Sequence, residues 1–336
     1  MRRFVFITGA GRCGTKLMHS LLDGNTNLNI IPGEVTNFFL DSLDRNGFSD
    51  KVYHVNSKKI LENIINEFKG TKFPNLKSKL KRISKLLNNK FSYNSSILFE
   101  DYMNIVTNVL FPNKKQTVIN IQNENIIGLL QTFPTSKIIH IIRNPLTQIN
   151  SRYLFRYKIP NNYNGMEFSS SFYRNYNSFK NAFLMRDNKR VMVVKMESLI
   201  KSTKKEMKKT SKFLSISFNK INLITSLFGK KISDKDTYIK SNSGIRSLDN
   251  DFSCLSPNDL YIVSKIKYVN KFYKLKQFSK KKNSFIFFLL RHLGFVGKKR
   301  SKIFNPYKLI KYSIYSIYLF FLDKNLKNQF LMNKNI

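Results

Sequence analysis

The 336-residue chain has only two cysteines, Cys13 and Cys254, and four histidines. Two cysteines so far apart do not make a disulfide framework. No His, Cys and Asp fall at a spacing that would hold a metal ion. Acidic residues are scarce, 20 against 59 Lys and Arg, which leaves a formal net charge of +39. That charge invites a nucleic-acid reading, yet no nucleic-acid-binding module is recognisable. The apolar stretches Phe285 to Val296 and Tyr312 to Leu322 both fall short of the about 20 residues a helix needs to span a bilayer.

Lysine carries most of the charge: there are 45 Lys to 14 Arg, and Lys, Asn, Ile and Phe abound throughout. An AT-rich genome imposes that pattern, which discounts the charge as a specific signal. Recognition of phosphate favours the arginine fork, although a basic surface still steers a polyanionic acceptor. At 42% hydrophobic residues, the chain can bury one substantial α/β core with appendages. Residues 51–90 hold 11 Lys and Arg against 2 acids and read as a basic, largely helical insertion. Residues 265–336 hold 18 against the single acid Asp323.

The most informative segment opens the chain. Phe4 to Ile7 is an apolar, β-branched run fit for a buried parallel strand. Gly9, Gly11 and Gly14 then allow a tight turn. Thr15 to Leu22 has helical spacing, with Leu17, Leu21 and Leu22 on one face. A helix start after such a turn favours a bound phosphate through its N–H groups and dipole. The NTPase P-loop requires Gly-x4-Gly-Lys-Ser/Thr. Gly9 and Gly14 satisfy the first part, but Thr15 and Lys16 follow in the reverse order. Downstream, KIIHIIRNPLTQINSR (137–152) gives an apolar strand ending at Arg143, then Asn-Pro, then Ser151 eight residues after Arg143. Pro145 suits the first turn of a helix, and Arg143 lies at the strand edge where open α/β sheets bind ligands.

Together the two segments resemble the sulfotransferases that use 3′-phosphoadenosine 5′-phosphosulfate (PAPS). Their 5′-phosphosulfate loop carries Arg/Lys-x-Gly-Thr before a helix, matched by Arg12, Gly14, Thr15 and Lys16, with Gly11 and Cys13 completing the turn. Their 3′-phosphate site is a strand ending in Arg-Asp-Pro with a serine eight residues beyond, matched by Arg143 and Ser151, with Asn144 replacing the aspartate. Glu34, before Val-Thr-Asn-Phe-Phe, resembles the catalytic glutamate of heparan sulfate 3-O-sulfotransferases, and Lys16 falls where those enzymes place an arginine. Glu34 reads equally as a cap of the helix that would begin near Val35. In the loop Lys240 to Ser247, Gly244 and Arg246 occupy the place where relatives close over the 3′-phosphate and adenine. The lysine that many relatives carry before the next helix is missing, and Ile121 to Asn125 stands there instead.

The resemblance implies an α/β, P-loop-like three-layer fold with a short parallel sheet flanked by helices. Strands are expected near 3–8, 28–31, 117–121, 137–142 and 190–195, and a helix from Pro257 to about Lys274, with Ser256 as its N-cap. The sulfotransferase domain would occupy 1–275, with a basic helical extension at 276–336. The implied reaction is sulfuryl transfer from PAPS, without a metal, to a hydroxyl on a saccharide or glycolipid. A kinase would need magnesium-binding carboxylates at the ends of the central strands, which are lacking. A catalytically silent nucleotide- or membrane-binding protein is the other reading. The tail reads either as an interfacial helical pair on an anionic membrane or as helices packed on the core or a partner. Because the first strand begins at residue 3 or 4, no signal peptide or N-terminal anchor is expected. The expected location is cytoplasmic, with a peripheral membrane contact under the first reading of the tail. His140, inside an apolar strand, is expected to be a satisfied core histidine.

Overall fold

The computed structural model describes residues 3–31, 75–90, 99–113, 115–121, 126–157, 165–227, 230–231, 252, 255, 257–264, 266 and 268–275. These fall into two compact units that interleave along the chain. The first is Met1–Gly9, Cys13–Ile142 and Leu184–Leu248; the second is Ala10–Arg12, Arg143–Phe183 and Asp249–Ile336.

The first unit is built on five strands: β1 (Phe4–Gly9), β2 (Leu28–Ile30), β3 (Gln116–Asn120), β4 (Lys137–Ile142) and β5 (Val191–Lys195). They pair in the order β2-β3-β1-β4-β5, and every pair is parallel. All five strands lie within a residue of their expected limits. β1 shows why the sheet has helices on both faces. Phe4 and Phe6 point to one side, where they meet Ile119, Ile138 and Phe133 under α2 (Leu76–Lys90), α3 (Phe99–Leu110) and α4 (Ile126–Thr132). Val5 and Ile7 point to the other, against α1 (Thr15–Leu22) through Met18, Leu21 and Leu22. The period-two alternation thus serves two apolar layers rather than one wet face. Each buried Phe, Ile or Val contributes roughly 1.5–3 kcal/mol. The result is the three-layer α/β arrangement anticipated from the sequence.

After β1 the chain crosses through α1 toward β2, and after β3 it crosses through α4 on the opposite face to β4. The strand order therefore reverses at β1, and β1 ends in Gly9 at that switch point. Open α/β sheets bind ligands there. On the other side of β5 follow α7 (Met196–Lys201) and α8 (Thr203–Leu214), with Leu199, Met207 and Leu214 in the same apolar layer as α1. The expected basic insertion between the second and third strands is helical over α2, and the remainder of 51–74 lies outside the described residues.

The second unit contains α5 (Pro145–Tyr157), α6 (Gly165–Leu184) and α9 (Pro257–Ser264). Here the structure corrects one expectation: the last helix stops at Ser264 instead of running on to Lys274. Tyr268 adopts a left-handed φ of 64°, and a 3-10 turn follows at Val269–Lys271. This break turns aromatic side chains onto α6, with Tyr268 5.3 Å from Phe183 and Phe272 5.9 Å from Phe179, centroid to centroid. Packing of large rings outweighs helix propensity at this point. Residue 256, the expected N-cap, and the extension 276–336 lie outside the described residues.

Candidate functional site

The glycine loop gets its shape from backbone and packing together. Gly9 closes β1 with φ 151°, and a Cβ there would strike Cys13 Sγ and the Ile141 carbonyl oxygen. Gly14 has φ 100°, and a Cβ there would lie 2.8 Å from Met196 Sδ. Cys13 is buried as a small filler between these turns. Gly14 is the N-cap of α1 and offers no side-chain acceptor to the first-turn N–H groups. An uncapped helix start at a strand end suits an anion. Thr15, the first helical residue, is buried, whereas Lys16 is exposed.

In the second unit, Ala10–Arg12 rests against the start of α5. Arg143 Nη1 donates to the Arg12 carbonyl oxygen at 3.1 Å. Gln148 Nε2 donates to the Gly11 carbonyl oxygen. With both carbonyls turned onto the Arg143 and Gln148 side chains, the N–H groups of the same planar trans peptides point the other way. Arg12 adopts a left-handed φ of 72°, a conformation uncommon in residues other than glycine. Burial, with Arg143 and then Arg152 as like charges nearby, pushes its guanidinium down to about 10. It stays charged at neutral pH, but at a cost that a bound anion would offset. Ser151 is half-buried on the same helix. This donor set has the chemistry of a phosphate site.

The match to known families agrees with this geometry. Residues 5–220, more than half the chain, match the family model described as the sulfotransferase family. The chain belongs to that family. Among solved structures it is similar to the sulfotransferase domain of the Synechococcus PCC 7002 olefin synthase, at 15% identity over 82% of this chain and 90% of that one, with a TM-score of 0.46. The sulfotransferase domain from the curacin biosynthetic pathway gives 16% identity over 82% and 94%, TM-score 0.48. Mouse sulfotransferase SULT7A1 complexed with PAP gives 14% over 85% and 83%, TM-score 0.38. No curated protein matches the chain.

For this sulfotransferase, the family implies PAPS as co-substrate. Of the residues singled out in the sequence, Gly11, Arg12, Arg143 and Ser151 belong to one unit, while Cys13, Gly14, Thr15 and Lys16 belong to the other. Glu34, Gly244 and Arg246 lie outside the described residues. His140 is satisfied inside the sheet, its Nδ1 2.7 Å from Thr8 Oγ1. Among the described residues no group of three or more His, Cys, Asp and Glu could hold a metal ion.

Sequence reasoning missed Gln148, Arg152 and Asn175. Gln148 is fully buried, and its Oε1 accepts from Asn175 Nδ2 at 2.7 Å. Asn175 also donates to the Ser171 carbonyl at 2.8 Å, so α6 supports α5, which supports the loop. A signal was available: Asn144, Gln148 and Arg152 recur at i, i+4, i+8, a polar stripe along the start of α5.

Proposed function

We propose that this sulfotransferase moves a sulfuryl group from PAPS to a hydroxyl on a saccharide or glycolipid, with the machinery in residues 1–275. The observation that carries the reading is the arginine group of the second unit, where Arg143 Nη1 holds the Arg12 carbonyl at 3.1 Å and Arg12 stands with Arg143 and Arg152 as like charges. Arg143 and Ser151 would hold the 3′-phosphate, with Gly244 and Arg246 closing over it and the adenine. Gly11, Arg12, Cys13, Gly14, Thr15 and Lys16 would hold the 5′-phosphosulfate. When bound, PAPS supplies the sulfuryl group, and its remainder departs as adenosine 3′,5′-bisphosphate.

Glu34 would take the hydroxyl proton as the acceptor oxygen bonds to sulfur and the bond from sulfur to the bridging phosphate oxygen breaks. A base in reach of that proton contributes about 10² to 10⁴-fold. Lys16 and the first-turn N–H groups of α1 would stabilise charge gathering on the departing phosphate, which needs no metal to do so. A cytoplasmic location, with the tail on an anionic membrane, belongs to the same proposal.

Calorimetry tests the cofactor assignment. Adenosine 3′,5′-bisphosphate should bind well and AMP weakly, because only the former carries the 3′-phosphate. Each lost charge-assisted bond costs roughly 1.5–3 kcal/mol, so Arg143→Ala should weaken the bisphosphate at least about tenfold. Equal affinities in wild type and variant would sink the assignment.

A further inference from the structure

Asn120 is the last residue of β3 and is 1% exposed. Among the described residues, neither its Oδ1 nor its Nδ2 has a hydrogen-bond partner. Other buried amides of the same unit are bonded. Asn25 donates to Asn222 Oδ1 at 3.0 Å, Asn222 to the Leu21 carbonyl at 2.8 Å, and Asn29 to Asn113 Oδ1 at 2.8 Å. Asparagine is also a poor strand residue, so both propensity and desolvation disfavour it here. A buried polar group with neither of its needs met calls for an explanation.

Position supplies one. Strand alternation puts Asn120 on the same face as Val118, which packs with Ile7, Met18, Leu21 and Leu22 beneath α1. Asn120 stands beside Ile7 in the register, two residues before β1 ends in Gly9. Because α1 links two parallel strands, it runs antiparallel to them, and its uncapped start lies at the strand ends where Asn120 sits. The carboxamide has one unmet donor group and one unmet acceptor. Sulfuryl oxygens only accept, whereas a hydroxyl also donates.

We propose that Asn120 binds the reacting pair, Nδ2–H donating to a sulfuryl oxygen and Oδ1 accepting from a second hydroxyl of the acceptor, beside the one whose single proton Glu34 takes. This would hold nucleophile and electrophile side by side, the positioning on which such transfers depend. The proposal rests on the sulfuryl-transfer reading above.

The test compares wild type with Asn120→Leu, a near-isosteric apolar replacement, by calorimetry with PAPS and with adenosine 3′,5′-bisphosphate, alongside thermal unfolding. The bisphosphate lacks the sulfuryl group, so its affinity should be unchanged. PAPS affinity should fall by at least about tenfold, and the thermal midpoint should hold or rise as an unbonded buried amide is removed. Unchanged PAPS affinity would overturn the proposal. So would equal losses for both nucleotides with a lower midpoint, which would make Asn120 a structural residue. If Asn120→Leu does not fold, Asn120→Ala carries the same comparison. A wild-type protein that binds neither nucleotide would overturn the sulfuryl-transfer reading itself, and this proposal with it.

Discussion

Asn144 shows how little a site needs to keep when one residue changes. Its Oδ1 accepts from Leu146 N at 3.0 Å, an N-cap on the helix that Pro145 begins. Capping asks only for a side-chain oxygen, so asparagine serves as well as aspartate. Glu34, as the proposed base, is the opposite case, because base chemistry would need the carboxylate itself. Glu34→Gln keeps the side-chain shape, and a glutamine amide oxygen can serve a helix start as a carboxylate does. Transfer to a hydroxyl acceptor should fall by about two orders of magnitude or more while adenosine 3′,5′-bisphosphate affinity stays near wild type. Near-normal turnover of the variant would leave Glu34 with a cap only. The difference between readable and unreadable residues is physical. Gly14, Arg143 and Ser151 stand out because the roles proposed for them follow from a turn, a strand end and a helical repeat, all local in sequence. Gln148 and Asn120 do not, because what singles them out is burial and bonding set by elements distant in the chain.

Among elements, α1 does more than present its first turn. His19, on its buried face, donates from Nε2 to the Ile31 carbonyl at 2.9 Å, just past the end of β2. Burial drives the His19 pKa down from 6.5 to about 4, against the opposing effects of the Ile31 bond and Asp23. The unfolded chain therefore takes up a proton at this histidine below about pH 6.5, whereas the folded one does not until about pH 4. Stability from His19 is present above the unfolded pKa and is lost as pH falls through this window. The loss is on the order of 3 kcal/mol. His19→Gln can still donate to Ile31 but does not titrate. Chemical denaturation at pH 7 and pH 4.5 should show wild type losing more stability than the variant, and parallel losses would rule the histidine out. Neither the bond nor the shift was readable in advance, since a lone histidine on an amphipathic helix gives no hint of its partner. The shortened α9 has a similar origin: the Tyr268, Phe272 and Tyr273 pattern is compatible with a helix, and only their docking on α6 selects the turn.

At the scale of the whole molecule, the basic charge and the tail remain to be put to use. Among the described residues no helix is long and apolar enough to cross a membrane. If 285–322 lies on an anionic surface, the full chain should co-sediment with phosphatidylserine-containing liposomes and release as salt rises, because screening weakens the lysines. A chain ending near Lys280 should lose that binding yet still take up adenosine 3′,5′-bisphosphate. Aggregation or loss of nucleotide binding on truncation would assign the apolar stretches to the core or to an interface. The strand order carries a consequence for synthesis. β1 is made first, but its neighbours are β3 and β4, with Ile7 beside Asn120 and Gly9 beside Ile141. Closing so wide a span of chain delays the pairing. On the ribosome, β1 lacks a neighbour on one side until β4 has emerged, so nucleotide capture by nascent chains should switch on late rather than grow with length.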